Sequence, residues 1–266
     1  MNEKIPLFFI IGLALVLFMY RGNIERNYFS PYYMPRVAEI GYGTGFFVNE
    51  TDIITNHHVI KYCSDYRIKR PDDKLSDLFL VAVDPYNDLA VLRTGYRNQT
   101  SALIQVNEDA NKNDEVHIIG YPSNNYHYTK AQVIVPDQSI LVGPPAFDKE
   151  FMQRNVIYTD SVRQGNSGGP LLSDQAHVLG VVDTYTILTS NPHNRSVREE
   201  GDLSKLKFGT AIHTTRLAQF LDENGVRYTT AEASSSTPVL SDSEVERIGN
   251  QFIVQVECII DKTLER

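Results

Sequence analysis

Between residues 37 and 228, short runs of β-branched and alternating apolar residues recur at close intervals, and helical periods are scarce. The runs at 45–48 and 52–55 flank Asn49-Glu50, a composition suited to a hairpin turn. Further runs fall at 78–83, 89–92, 115–119, 131–135, 156–160, 177–182 and 208–212. Strands of this kind must close on themselves or stack as sheets to hide their edges and apolar faces. The pattern therefore predicts an all-β barrel or sandwich and opposes an alternating α/β architecture. The clearest helical period, 214–224, stops at Gly225, and the polar stretch 189–205 reads as an exposed loop.

The 266 residues suffice for one large all-β domain or two smaller units with a proper core. With 25 basic against 33 acidic side chains the net charge is −8, which argues against nonspecific nucleic-acid binding. Two cysteines, Cys63 and Cys258, make no disulfide framework, and the expectation is two buried free thiols. A single bridge tying the tail to the first half is the alternative in an oxidising compartment.

The ends carry different signals. Residues 5–20 form an uncharged apolar run of 16 residues between Lys4 and Arg21. As a helix it would reach roughly 24 Å at ~1.5 Å per residue, a shortfall that snorkelling of the flanking charges covers. No small-x-small site follows it, so an uncleaved membrane anchor over residues 1–22 is expected, with a cleaved leader and secretion as the alternative. The linker 23–36 carries the aromatic cluster Tyr28, Phe29, Tyr32 and Tyr33, which either packs locally, at the membrane interface or on its own domain, or forms an oligomer contact. At the other end, the Ser/Ala-rich linker 231–237 leads into a short helix over 241–250 capped by Asp242 or Ser243, then a strand-like run at 252–260. The tail 231–266 is too short to fold alone and is expected to dock on the main body, adding a strand.

Chemistry points to Gly165-Asn166-Ser167-Gly168-Gly169-Pro170. Glycines tolerate torsions that let backbone N–H groups converge beside a reacting carbonyl, and the serine becomes a nucleophile if a base takes its proton. Candidate partners precede it in Thr55-Asn56-His57-His58-Val59 and in Asp84-Pro85-Tyr86-Asn87-Asp88-Leu89-Ala90-Val91-Leu92. Each stretch alone is commonplace: a strand-end histidine, a strand-boundary aspartate, a glycine turn. Their order, His then Asp then Ser, in a β-rich chain is one known arrangement of a nucleophilic triad.

Thr-Asn-His-His-Val, Asp-Leu-Ala-Val-Leu and Gly-Asn-Ser-Gly-Gly-Pro-Leu together resemble the three blocks of trypsin-like serine proteases of the HtrA/Deg branch, over roughly residues 37–228. The resemblance implies two perpendicular six-stranded β-barrels, about 37–125 and 126–230, with a cleft between them. It implies Ser167 as nucleophile, His58 as general base with His57 second, and Asp88 as its orienting carboxylate with Asp84 second. The N–H groups of Gly165 and Ser167 would form the oxyanion hole. Ser161 would set the floor of the specificity pocket, with Val181, Val182 and Ala211 as walls, so cleavage after small or medium aliphatic residues is expected. The substrates implied are proteins or peptides, with no cofactor and no metal, and the aromatic linker implies a homotrimer. An extracytoplasmic protease domain held by residues 5–20 completes the expectation. The chain departs from the branch in one respect, since 231–266 leaves no room for a C-terminal PDZ module.

Two rival readings remain. Gly165-Asn166-Ser167-Gly168-Gly169 also fits the G-x-S-x-G elbow of an α/β-hydrolase esterase, with Asp183 and His213 as downstream partners. Alternatively the chain is a membrane-tethered peptide-binding protein of the same fold without turnover.

Overall fold

The computed structural model describes residues 38–70, 74–106, 109–142, 151–159, 165–187, 207–231 and 238–261. The apolar run 5–20, the aromatic cluster 28–33, Ser161 and the stretch 189–205 lie outside the described residues. The fold below is that of the compact unit Glu39–Ile260.

The first half builds a closed six-stranded barrel. Its strands are β1 (Ala38–Phe47), β2 (Asp52–Thr55), β3 (Asp65–Lys69), β4 (Leu75–Asp84), β5 (Leu89–Thr94) and the C-terminal β14 (Ile253–Asp261), in the order β1-β14-β3-β4-β5-β2. Asn49 makes the β1–β2 hairpin because its Oδ1 accepts from the N–H groups of Thr51 and Asp52, both at 2.9 Å. Phe46 and Ile54 then pair across the hairpin, and both are fully buried with Ile53, Ile68, Leu92 and Val256. Each such side chain contributes about 1.5–3 kcal/mol on leaving water. β3 escapes the sequence pattern because only Ile68 of Asp-Tyr-Arg-Ile-Lys is buried.

β14 is a barrel stave rather than an appendage. It pairs antiparallel to β3, with Val256 opposite Ile68 and Cys258 opposite Tyr66. That pairing brings Cys258 beside Cys63, Cα to Cα 5.2 Å, and the two form a disulfide across 195 residues of chain. The expectation of free thiols is therefore wrong. Sequence distance hid the pairing because no local pattern shows that the last strand closes the first barrel.

The second half is an eight-stranded sheet. It comprises β6 (Leu103–Ile104), β7 (Glu115–Gly120), β8 (His127–Val142), β9 (Phe151–Thr159), β10 (Pro170–Leu172), β11 (Val178–Ile187), β12 (Lys207–His213) and β13 (Thr229–Thr230). Their order is β10-β7-β8-β9-β12-β11-β6-β13, and β10 pairs with β11 as well as β7, so the ladder turns back on itself. Val116, Ile118, Val133, Val156, Tyr158, Leu171, Val182 and Ala211 are packed together inside it.

Among the described residues, three α-helices punctuate the strands. The four-residue α1 (His57–Ile60) follows β2 at once. α2 (Thr214–Glu223) starts where the His213 ring accepts from the Thr215 N–H, buries Leu217, Phe220 and Leu221, and is followed by Gly225 at φ 63°. In α3 (Asp242–Gly249) the cap is Ser241, not Asp242 or Ser243. The Glu244 carboxylate accepts from both the Ser241 N–H (2.9 Å) and its hydroxyl (2.7 Å), which settles the start one residue earlier.

Candidate active site

The His58–Asp88 pair is built by the end of β2 and the start of β5. These strands are paired neighbours, Thr55 opposite Ala90, so α1 begins beside the residue that precedes β5. Asp88 sits there at φ 52°, a backbone region that costs a non-glycine residue about 1–3 kcal/mol. Its surroundings hold it. The Asp88 carbonyl accepts from the buried Asn56 Nδ2 (2.9 Å) and the His57 N–H (3.1 Å). Its carboxylate takes the His58 N–H at Oδ1 (2.8 Å) and faces the His58 ring Nδ1 at Oδ2 (2.5 Å). His57 contributes a backbone N–H to this arrangement. Asp84 is engaged in its own turn, accepting from the N–H groups of Tyr86 and Asn87 and from Asn87 Nδ2.

The His58 side chain is 44% exposed and that of Asp88 21%. Burial works to lower the imidazole pKa, but the Asp88 hydrogen bond, the Asp88 charge and the Asp183 charge outweigh it and hold the pKa above the ordinary histidine value.

Ser167 lies on a turn that only glycine can flank. Gly165 has φ 108° and Gly168 φ 85°. A Cβ on Gly165 would lie 2.7 Å from Pro122 Cα, and one on Gly168 would collide with the Thr44 carbonyl and the Thr55 hydroxyl. The turn is fastened to β1 of the first barrel through Thr44. The Thr44 N–H donates to the Ser167 carbonyl (3.0 Å), and Thr44 Oγ1 donates to the Gly165 carbonyl (2.6 Å) while accepting from the Tyr121 N–H (2.9 Å). Thr55 Oγ1 donates in turn to the Thr44 carbonyl (2.7 Å). On the other side Gly168 N–H donates to Val182 O and Val182 N–H to Gly169 O, each at 2.8 Å. Among the described residues, the N–H groups of Gly165 and Ser167 make no hydrogen bond.

Ser167 reaches the His58–Asp88 pair through Asp183 on β11. Its Oγ donates to the Asp183 carbonyl oxygen at 3.4 Å, and no hydrogen bond among the described residues joins it to the His58 ring. One side-chain nitrogen or carboxylate oxygen from each of His58, Asp88 and Asp183 lies within 4.8 Å of the others. The second grouping of metal-ligand type, Glu115, His117 and Asp242, already holds the Lys130 ammonium between its carboxylates, at 2.8 and 3.0 Å.

The pocket assignment fares differently. Val181, Val182 and Ala211 are fully buried. Val182 faces Ala211 across β11 and β12 within the second core, and Val181 packs with Ile212 in the first. Their side chains lie in the two cores, and Ser161, the expected pocket floor, lies outside the described residues. The esterase partners also separate. His213 caps α2 and pairs with Asp109 at 2.9 Å, and Ser167 is followed by β10 rather than by a helix. The residues that sequence reasoning passes over are Thr44, Thr55 and Asn56, and Asp183 enters it only as the acid of the esterase reading. Gly43-Thr44-Gly45 offered a signal, since glycines on both sides of a threonine mark close backbone approach.

Residues 43–181 match the trypsin-like peptidase domain family. The chain belongs to that family. Among its relatives, an uncharacterized protein y4bJ of Sinorhizobium fredii is 31% identical over 81% of this chain and 32% of its own length. The serine protease Rv3671c of Mycobacterium tuberculosis is 32% identical over 56% of this chain and 37% of its own, and its active-form crystal structure has a TM-score of 0.56 over 71% of this chain and 76% of that one. A probable periplasmic serine endoprotease, DegP-like, of Bartonella henselae is 31% identical over 55% of this chain and 28% of its own. At 23% identity the Rv3671c structure speaks for the fold alone. The chain spans about a third of the length of these curated relatives.

Proposed function

We propose that this trypsin-like protein is a serine endopeptidase acting on proteins or peptides. In this reading Ser167 Oγ attacks the scissile carbonyl carbon and its proton passes to His58 Nε2. Asp88, bonded at Nδ1, fixes the tautomer and stabilises the imidazolium. The oxygen that becomes negative is received by the N–H groups of Gly165 and Ser167. The C–N bond then breaks, Nε2 returns the proton to the leaving amine, and water repeats the sequence to release the acid and restore Ser167. The observation that carries the reading is the two-point attachment of His58 to Asp88, by ring and by backbone, beside a serine turn that Thr44 fastens to the same barrel.

The finer parts belong to the same proposal. The ladder of β10, β7, β8, β9, β12 and β11 is read as a second barrel crossing the first. An extracytoplasmic site is supported by the Cys63–Cys258 disulfide, since such bonds persist in oxidising compartments. Anchoring through residues 5–20 and a homotrimer through Tyr28, Phe29, Tyr32 and Tyr33 rest on sequence. Preference for small or medium aliphatic residues rests on the uncharged Ser161. A peptide library cleaved mainly after Lys or Arg would overturn it.

The alternative, a silent peptide-binding protein, is favoured by one feature: the Ser167 hydroxyl is directed to the Asp183 carbonyl. A rotation about the serine Cα–Cβ bond separates that state from an attacking one. Treating the full chain with a fluorophosphonate probe and mapping the adduct decides between them. A Ser167 adduct, absent in Ser167→Ala, is expected; an unmodified serine sinks the peptidase reading.

A further inference from the structure

Asp183 touches both halves of the proposed machinery. Its carbonyl oxygen accepts from Ser167 Oγ, and its carboxylate shares the 4.8 Å cluster with His58 and Asp88. Its backbone is not free to drift, because the preceding residue, Val182, is clamped to the serine turn by both its carbonyl and its N–H. The residue is 9% exposed. A carboxylate so enclosed favours a nearby cation, and the imidazolium formed at each proton transfer is one.

Resting on the peptidase reading above, we infer that Asp183 is a positioning residue of this centre, its carbonyl holding the Ser167 hydroxyl at rest and its carboxylate giving the His58 ring a second anionic neighbour. Two roles follow from one location. The carbonyl sets the rotamer from which the nucleophile must turn, so it tunes the fraction of serine ready to attack. The carboxylate makes the ring a stronger base, which favours taking the serine proton but keeps the ring protonated to higher pH. Among the described residues the charges acting on the ring are those of Asp88, from the start of β5, and Asp183, from β11, and both are negative. Asp88 is bonded to the ring and sets its orientation; Asp183 adds field without that bond.

The test uses the full chain in two parallel arms. In the first, the His58 ring is titrated by NMR in Ser167→Ala and in Ser167→Ala with Asp183→Asn. In the second, the pH dependence of kcat/KM is measured for wild type, Asp183→Asn and Asp183→Glu. Asp183→Asn is expected to move the His58 midpoint and the acid limb to lower pH together, while Asp183→Glu, which keeps the charge, holds the limb near wild type. If Asp183→Asn does not fold, Asp183→Ser removes the same charge with a smaller side chain. A His58 midpoint indifferent to loss of the Asp183 charge overturns the inference. If wild type neither turns over nor takes the fluorophosphonate, the peptidase reading fails, and the NMR arm still decides the place of Asp183.

Discussion

Replacing Thr44 with valine removes one oxygen from a fully buried site and nearly preserves shape. That oxygen donates to the Gly165 carbonyl at 2.6 Å and accepts from the Tyr121 N–H at 2.9 Å. Valine leaves both backbone groups without this partner in a dry region. At about 1–3 kcal/mol for each buried polar group left unsatisfied, the loss is roughly 2–6 kcal/mol before any relaxation. Relaxation comes most easily at Gly165, whose peptide is then free to turn. That peptide carries the Asn166 N–H; in the peptidase reading the Gly165 N–H, on the other side of the same Cα, is displaced as the Gly165 torsions change, at a cost on the order of 10²–10³ in kcat and little in KM. Thr44→Ser retains the oxygen and should retain most of both properties. Urea unfolding of the full chain gives the stability arm, and steady-state cleavage of a peptide substrate gives the catalytic arm. The reasoning is refuted if Thr44→Val loses less than about 0.5 kcal/mol, the range of ordinary surface changes, and cleaves like wild type.

Catalysis should require neutral His58, so kcat/KM should rise with pH through a midpoint above the ordinary histidine value of about 6.5. The stability linkage has the matching sign. With the folded pKa raised, the contribution of His58 is complete below about 6.5 and is lost as pH climbs through the folded value. Asp88→Asn should move the kinetic limb to lower pH and cut kcat by orders of magnitude; an unmoved limb would remove Asp88 from its role. The double change Cys63→Ser with Cys258→Ser opens a loop of 195 residues, for which chain entropy gives a ceiling of about 5 kcal/mol. The urea midpoint should fall clearly, and a midpoint equal to wild type under oxidising conditions would mean that the bond is not contributing to the fold.

Much of this was written locally in the chain. The hairpin turn at Asn49, the strand before His58, the strand after Asp88 and the glycine turn around Ser167 each depend on neighbours in sequence, so pattern and composition expose them. What stayed hidden is what tertiary contact creates. Thr44 reads as an ordinary strand residue until β1 meets the serine turn 121 residues later. Asp183 reads only as the acid of a rival esterase until β11 brings it to the pair from the first barrel. Val181, Val182 and Ala211 invited a pocket assignment because walls and core are both apolar, and the sequence alphabet does not separate the two.

β14 carries the strongest case for that distinction. It lies between β1 and β3 and so closes the barrel whose neighbouring strands deliver Thr44, His58 and Asp88. The Phe47 N–H donates to the Phe252 carbonyl at 2.8 Å just before β14, and a Cβ on Gly45 would lie 3.0 Å from Val256. On its other side, Gln255 Nε2 donates to Asn124 Oδ1 at 2.5 Å. Asn124 belongs to the short 3-10 turn Pro122–Asn124, against which Gly165 packs so closely that a side chain would collide. The same strand thus braces the barrel that holds His58 and the turn against which Gly165 packs. An uncapped β1 or β3 edge would expose unpaired backbone groups and loosen both. The covalent tie at Cys258 therefore sits on the element where strand loss would do most damage to the geometry around Ser167, which is why the last strand, though remote from every catalytic candidate in sequence, belongs to the site's foundation.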